Sequence, residues 1–343
     1  MDHSHKPTTD DVSSRDGRVW LGLLTLYVVW GSTYLGIAIA VGSIPPFLMA
    51  ATRFLLAGLI LLTWSVARDG RSFVIPTRRE VRDSAIVGAL LLGGGMGFVA
   101  FAEQTVPSGI AALLIATMPI WVAVLGGIFL GERLPRLAVL GIVVGFVGVA
   151  VLVAPSIVGG TGALDPVGLV FCLLSPLAWA TGSLFASHRA TLPPRPLVAT
   201  GLQMVLGGLV LSVMAIGTGE VATFDLATVT RDSFLAFLYL TVVGSLIAFT
   251  VFGYMLRVAP LPLVTTYAYV NPVVAVILGA IILGEAIDPR TVLAGTIIVI
   301  AVALIVTARG RMRAPREEAA ATDEIEESAV TTPRRTTARA PTP

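Results

Sequence analysis

From Trp20 to about residue 307 the chain alternates long apolar runs with short polar or charged breaks. Windows of about 20 residues, the length a helix needs to cross hydrocarbon, place ten helices. They lie near residues 20–41, 47–66, 84–106, 108–130, 137–154, 167–187, 197–216, 234–256, 261–283 and 291–307. The pattern therefore predicts an all-α integral membrane protein of ten transmembrane helices. Residues 1–19 are polar and hold Asp10, Asp11 and Asp16, which is not the pattern of a signal peptide. Residues 308–343 are charged, Thr-rich and Pro-containing, and are expected to be a disordered tail.

The basic residues give the helices a direction. With ten crossings and both termini cytoplasmic, twenty Lys and Arg fall on the cytoplasmic side, among them Arg68, Arg71, Arg78, Arg79, Arg82, Arg133, Arg136, Arg189, Arg195 and Arg257. Only Arg231 and Arg290 fall on the other. Short cytoplasmic loops retain positive charge, so this split predicts an inner-membrane protein with both ends inside.

The second half repeats the first. A shift of 153 residues carries Pro107 onto Pro260, Pro119 onto Pro272, Leu125-Gly126 onto Leu278-Gly279, and Gly131-Glu132 onto Gly284-Glu285. A weaker register pairs Ala57-Gly58-Leu59 with Gly207-Gly208-Leu209, and Trp30 with Trp179. Each half holds five helices, an odd number, so the two halves lie in the membrane in opposite senses. The organisation read from this is a tail at 1–19, a first repeat at 20–154, a linking loop at 155–166, a second repeat at 167–307 and a tail at 308–343. Inverted repeats characterise carriers that alternate access to a midplane site by rocking one half against the other.

Composition narrows the function classes. Charged residues make up 13% of the chain and hydrophobic residues 55%, with a mean hydropathy of +0.89; a soluble chain carries roughly a quarter charged residues. A net charge of +2 gives no reason to expect a nucleic-acid partner. Cys172 is the one cysteine, and the three histidines are His3, His5 and His188. No metal set, catalytic triad or general-base pair is visible, so neither an enzyme nor a cofactor is expected. No Walker-type phosphate loop is present, which argues against direct use of ATP.

Candidate site residues are those that break the apolar rule. Pro119, Pro176 and Pro272 each free the carbonyl four residues earlier, a break a membrane tolerates beside protein or a wet cavity. Before Pro272 stand Thr265, Thr266, Tyr267, Tyr269 and Asn271. Trp30, Ser32, Thr33 and Tyr34 interrupt the first helix, and Trp179, Thr181 and Ser183 its repeat partner. Aromatic walls with a few hydroxyls suit amphipathic ligands. The expected substrate-binding set is Trp30, Ser32, Thr33, Tyr34, Trp179, Ser183, Thr266, Tyr267, Tyr269 and Asn271, in a cavity between helices 1, 3, 4, 6, 8 and 9. Arg53 and Glu103 are charges inside spans, expected to pair as a gate or to leave Arg53 for a substrate carboxylate; outward snorkelling of Arg53 is the plain alternative. Proton coupling has one candidate, Glu103, and facilitated diffusion is its rival.

The runs Trp30-Gly31-Ser32-Thr33-Tyr34, Pro107-Ser108-Gly109-Ile110-Ala111-Ala112, Gly131-Glu132 and Thr266-Tyr267-Ala268-Tyr269-Val270-Asn271-Pro272-Val273, followed by Gly284-Glu285, resemble the EamA family of the drug/metabolite transporter superfamily and its YedA-like bacterial inner-membrane exporters. The resemblance spans roughly residues 20 to 307. It implies a ten-helix inverted-repeat fold, a central cavity and export of amino acids or related small metabolites; a monomer or weak dimer is expected. A multidrug or sugar/nucleotide-type carrier of the same fold, or a channel, are the alternatives.

Overall fold

The computed structural model describes residues 17–308 except 133, 159–162, 260 and 265. Both tails, part of the linking loop and Thr265 of the polar run lie outside the described residues. Among those described there is no strand, and nine helices are long and apolar enough to cross a membrane. They are α1 (Gly17–Ala40), α2 (Pro46–Asp69), α3 (Arg78–Ala102), α4 (Ser108–Leu130), α5 (Arg136–Val158), α6 (Pro166–His188), α7 (Pro196–Gly217), α8 (residues 231–258) and α10 (Pro289–Ala308). The remaining expected span, 261–283, is broken. A single turn, Leu261–Val264, precedes α9 (Tyr267–Leu283), 17 residues long. At the break the Thr266 hydroxyl turns back to donate to the Leu263 carbonyl at 2.6 Å, a local bond that competes with helix continuation.

The loops sort into two ends by the bonds between them. At the arginine-rich end Asp69 pairs with Arg195, the Thr191 amide donates to Asp83 at 2.8 Å, and Glu132 lies 3.9 Å from His188. At the other end Ser43 accepts from the Thr230 amide at 3.0 Å, Thr105 donates to Asp165 at 3.2 Å, and Glu285 holds the start of α4. Each half thus runs through the bundle in the sense opposite to its copy. Small residues let the helices approach closely, as packing in lipid requires: a Cβ on Gly58 of α2 would lie 2.8 Å from the Gly201 carbonyl of α7, and one on Gly141 of α5 2.9 Å from the Ala301 carbonyl of α10. Leu56, Leu59, Ile60, Val143, Val147, Val213 and Ile281 point outward and exposed, an apolar surface suited to lipid.

Two helices change pitch where the halves meet. Within α3 the stretch Ala89–Gly97 is π-helical, and within α8 so is Leu240–Ile247. The two stretches overlie one another at the spacing of the repeat. Such insertions are rare and concentrate at functional sites.

Candidate functional site

Between the halves lies a cavity of about 120 Å³, room for roughly eight to twelve water-sized atoms. Its wall uses equivalent residues from each half: Trp30 and Trp179, Ile115 and Ala268, Met118 and Asn271, Pro119 and Pro272. The repeat-related prolines leave the carbonyls of Ile115 and Ala268 without their helical donors, and both residues line the cavity. Irregular backbone therefore stands where it can face a ligand rather than lipid.

The π-helical glycines make room for the wall. A Cβ on Gly95 would lie 2.7 Å from Trp179 Cε3, and one on Gly244 3.2 Å from both Arg53 Nη2 and Thr33 Cγ2. Gly95 and Gly244 stand 149 residues apart, as Trp30 and Trp179 do. The pitch change thus seats an aromatic side chain in one half and a guanidinium in the other. Trp30 sits in an aromatic nest, with ring centroids 4.9 Å from Tyr267, 5.1 Å from Phe252 and 5.7 Å from Phe249.

Arg53 is 2% exposed and does not snorkel. Its Nε donates to Ser245 Oγ at 2.9 Å, its Cζ lies 4.8 Å from the Phe54 ring centre, and among the described residues it has no carboxylate partner. Asn271 is 8% exposed, lines the cavity and keeps Oδ1 without a hydrogen bond. A free cationic donor and a free amide acceptor therefore share one apolar chamber, and a ligand bearing an acceptor anion and a donor could answer both.

Of the residues expected from the sequence, Trp30, Thr33, Tyr34, Trp179, Tyr267, Asn271 and Arg53 line the cavity. Ser32, Ser183, Thr266 and Tyr269 do not. Ser32 turns to the Tyr239 hydroxyl at 2.5 Å, Thr266 to the Tyr27 hydroxyl, and Tyr269 packs on the cluster of Leu113, Leu114 and Cys172. Ser183 lies one turn beyond Trp179, towards the arginine-rich end of α6. Helix 2 joins the six expected helices in the wall through Arg53. The expected Arg53–Glu103 pair is not formed: Ser245 holds the arginine, while Glu103 ends α3 with neither carboxylate oxygen hydrogen-bonded.

Sequence reasoning missed several parts. Met96, Val99, Ser175 and Phe249 complete the wall, and Ser175 Oγ donates to the Gly95 carbonyl at 2.8 Å inside the π-helical stretch. Gly93-Gly94-Gly95 and Gly244-Ser245 were the available signals. Two glutamates also act as helix caps from a distance. Glu285 accepts from the amides of Ser108 at 2.7 Å and Gly109 at 3.0 Å, at the start of α4. Glu220 accepts from Leu48 at 2.8 Å and Phe47 at 3.3 Å, at the start of α2. Burial pushes the Glu220 carboxyl above its ordinary range, and the two amides pull against that.

The chain matches the profile of the EamA-like transporter family twice, over residues 18–154 and 166–307. It is 39% identical over 284 residues to an uncharacterized inner membrane transporter, YedA, of Escherichia coli, covering 82% of this chain and 89% of that protein. It is 30% identical over 302 residues, 84% of this chain and 94% of the other, to a Salmonella typhimurium protein described as a probable amino-acid metabolite efflux pump. One solved crystal structure aligns with 86% of this chain and 99% of its own at a TM-score of 0.57 and 22% identity, a likeness of fold alone.

Proposed function

The chain belongs to the EamA-like transporter family, and from that premise we propose that it is an inner-membrane secondary transporter exporting amino acids or related small metabolites by alternating access. The observation that carries this reading is the cavity between the inverted halves, where Arg53, held only through Ser245 and with no carboxylate among the described residues, and the unpartnered Asn271 carbonyl share an aromatic chamber. Charge buried without a carboxylate costs stability unless a ligand or solvent answers it. An α-amino acid carries both groups the chamber lacks: a carboxylate for the guanidinium and an ammonium for the amide oxygen. Trp30 and Tyr267 line the chamber with aromatic surface suited to an apolar side chain or a cation. The amino-acid class also agrees with the description of the Salmonella typhimurium relative.

Solute counterflow in proteoliposomes tests this reading. Labelled amino acids should exchange with saturation and be accelerated by unlabelled solute on the far side. Flux that rises linearly and shows no trans-stimulation would make the protein a channel. Exchange of sugars or amphipathic cations in place of amino acids would keep the carrier and overturn the substrate class.

A further inference from the structure

We propose that Glu103 is a proton-binding site, occupied while the arginine-poor end of the bundle is closed and linked to the opening of that end. Glu103 is 6% exposed at the end of α3, and neither of its carboxylate oxygens has a hydrogen-bond partner. The Ala38 backbone lies near without hydrogen-bonding geometry. The titratable groups within electrostatic reach of it are Tyr34 from α1, Cys172 from α6 and Glu285 from the turn after α9. None carries a positive charge, and the nearest intramembrane cation candidate, Arg53, is turned to Ser245. Asp165, close by through Thr105, is occupied in holding the amide of Gly168 at 2.7 Å.

An ionised carboxylate in that place would be buried with no donor and a second carboxylate as neighbour, which is strongly unfavourable. The two carboxyls are not equivalent. Glu285 holds two amides at the start of α4, where the helix dipole also favours negative charge. Glu103 has no such donors, so the proton belongs there. A metal cation is a poor fit, because sodium- or calcium-like ions need several oxygen ligands and the core cluster that begins beside Glu103 at Ala102, with Val106, Leu169 and Cys172, is apolar. When the end opens, water reaches Glu103; the O–H bond breaks, the proton passes to water, and the carboxylate that remains is solvated. Tyr34, which lines the cavity and lies within electrostatic reach of Glu103, links the site to the substrate chamber.

The coupling half of this proposal rests on the carrier reading, while the proton site does not, so two measurements separate them. Infrared spectroscopy of the reconstituted protein at neutral pH should show a protonated-carboxyl C=O stretch that shifts after equilibration in D2O. Glu103→Gln, an isostere of the protonated acid, should lose that band and Glu285→Gln should keep it. A wild-type spectrum without the band overturns the site whether or not the variant folds, and so does a band that survives in Glu103→Gln. In proteoliposomes, an imposed pH gradient should accelerate export of an amino acid that is active in counterflow, and Glu103→Gln should lose the acceleration while keeping counterflow. Acceleration preserved in Glu103→Gln overturns the coupling. Absence of counterflow in the wild type would instead remove the carrier reading and leave the infrared result standing.

Discussion

A guanidinium buried in a membrane protein persists only where its hydrogen bonds and charge are answered. At Arg53 the protein answers one nitrogen, through Ser245, and gives the rest to the cavity. If a carboxylate completes the arrangement, Arg53→Gln removes a charge-assisted hydrogen bond worth about 1.5–3 kcal/mol, a loss of about tenfold or more in apparent affinity. Arg53→Lys should recover little of it, because an ammonium cannot reproduce the planar fork. Membrane abundance should not fall in either variant, since neither adds an insertion cost. Export rate normalised to abundance checks this, and normal rates in both variants would remove Arg53 from recognition. Sequence pattern could find Arg53 and Asn271, because polar groups in spans are costly enough to stand out. It could not say which way they turn. Ser32 and Thr33 are adjacent, yet Ser32 is bound to Tyr239 while Thr33 lines the cavity. The difference is one of helix phase, and phase beside a broken or π-helical stretch cannot be counted from residue spacing.

The elements that place these side chains are irregular where regular helices would fail. Each π-helical stretch places a glycine under a cavity-lining side chain, Gly95 under Trp179 and Gly244 under Arg53. The sequence shows these glycines, and close helix contact is their simplest explanation; for Gly207 and Gly208, packed on Gly88 and Leu55, that explanation is complete. The change of pitch was not legible, because π-helix has no residue signature apart from its surroundings. Gly88 supplies a test of the packing. A Cβ there would stand 2.5 Å from the Gln203 carbonyl and 2.9 Å from the Gly207 nitrogen, both backbone atoms of α7. Overpacking of this kind costs about 1–3 kcal/mol, against about 1 kcal/mol gained in helix propensity. Gly88→Ala should therefore lower the thermal unfolding midpoint in detergent. Gly217→Ala, with nothing within 4 Å of the added atom, should leave it unchanged or raise it. Equal midpoints for the two would mean that α3 and α7 are not in the close contact described.

At the scale of the whole molecule, hydropathy and the repeat carried most of the architecture, because a membrane allows few solutions to the burial of backbone polar groups. Only the span at 261–283 departs from the count, and it departs at the polar run where the cavity is built. The arginine distribution predicts the sidedness: reporter fusions after Val41, Val106, Ser156, Thr218 and Ile287 should all report outside, and any one consistently inside would break the topology. The repeat further implies that closure at the two ends uses equivalent parts. At the arginine-poor end the first half's α4 is held by the second half's Glu285, with Gly109 against Val276 and Gly279 against Ser108. Glu132 is the repeat equivalent of Glu285 and lies at the opposite end, beside His188. A contact between halves that closes one end must loosen when that end opens, so Glu285→Ala should favour the conformation open at the arginine-poor end. Ala112 lines the cavity on α4 and can report it. In a Cys172→Ser background, Ala112→Cys should react slowly with a membrane-impermeant maleimide applied from that side, and several-fold faster once Glu285→Ala is added. Glu132→Ala should give no such increase, because its carboxylate stands at the other end. Equal rates with and without Glu285 would show that the helix cap is structural decoration of α4 and that closure depends on the apolar contacts alone.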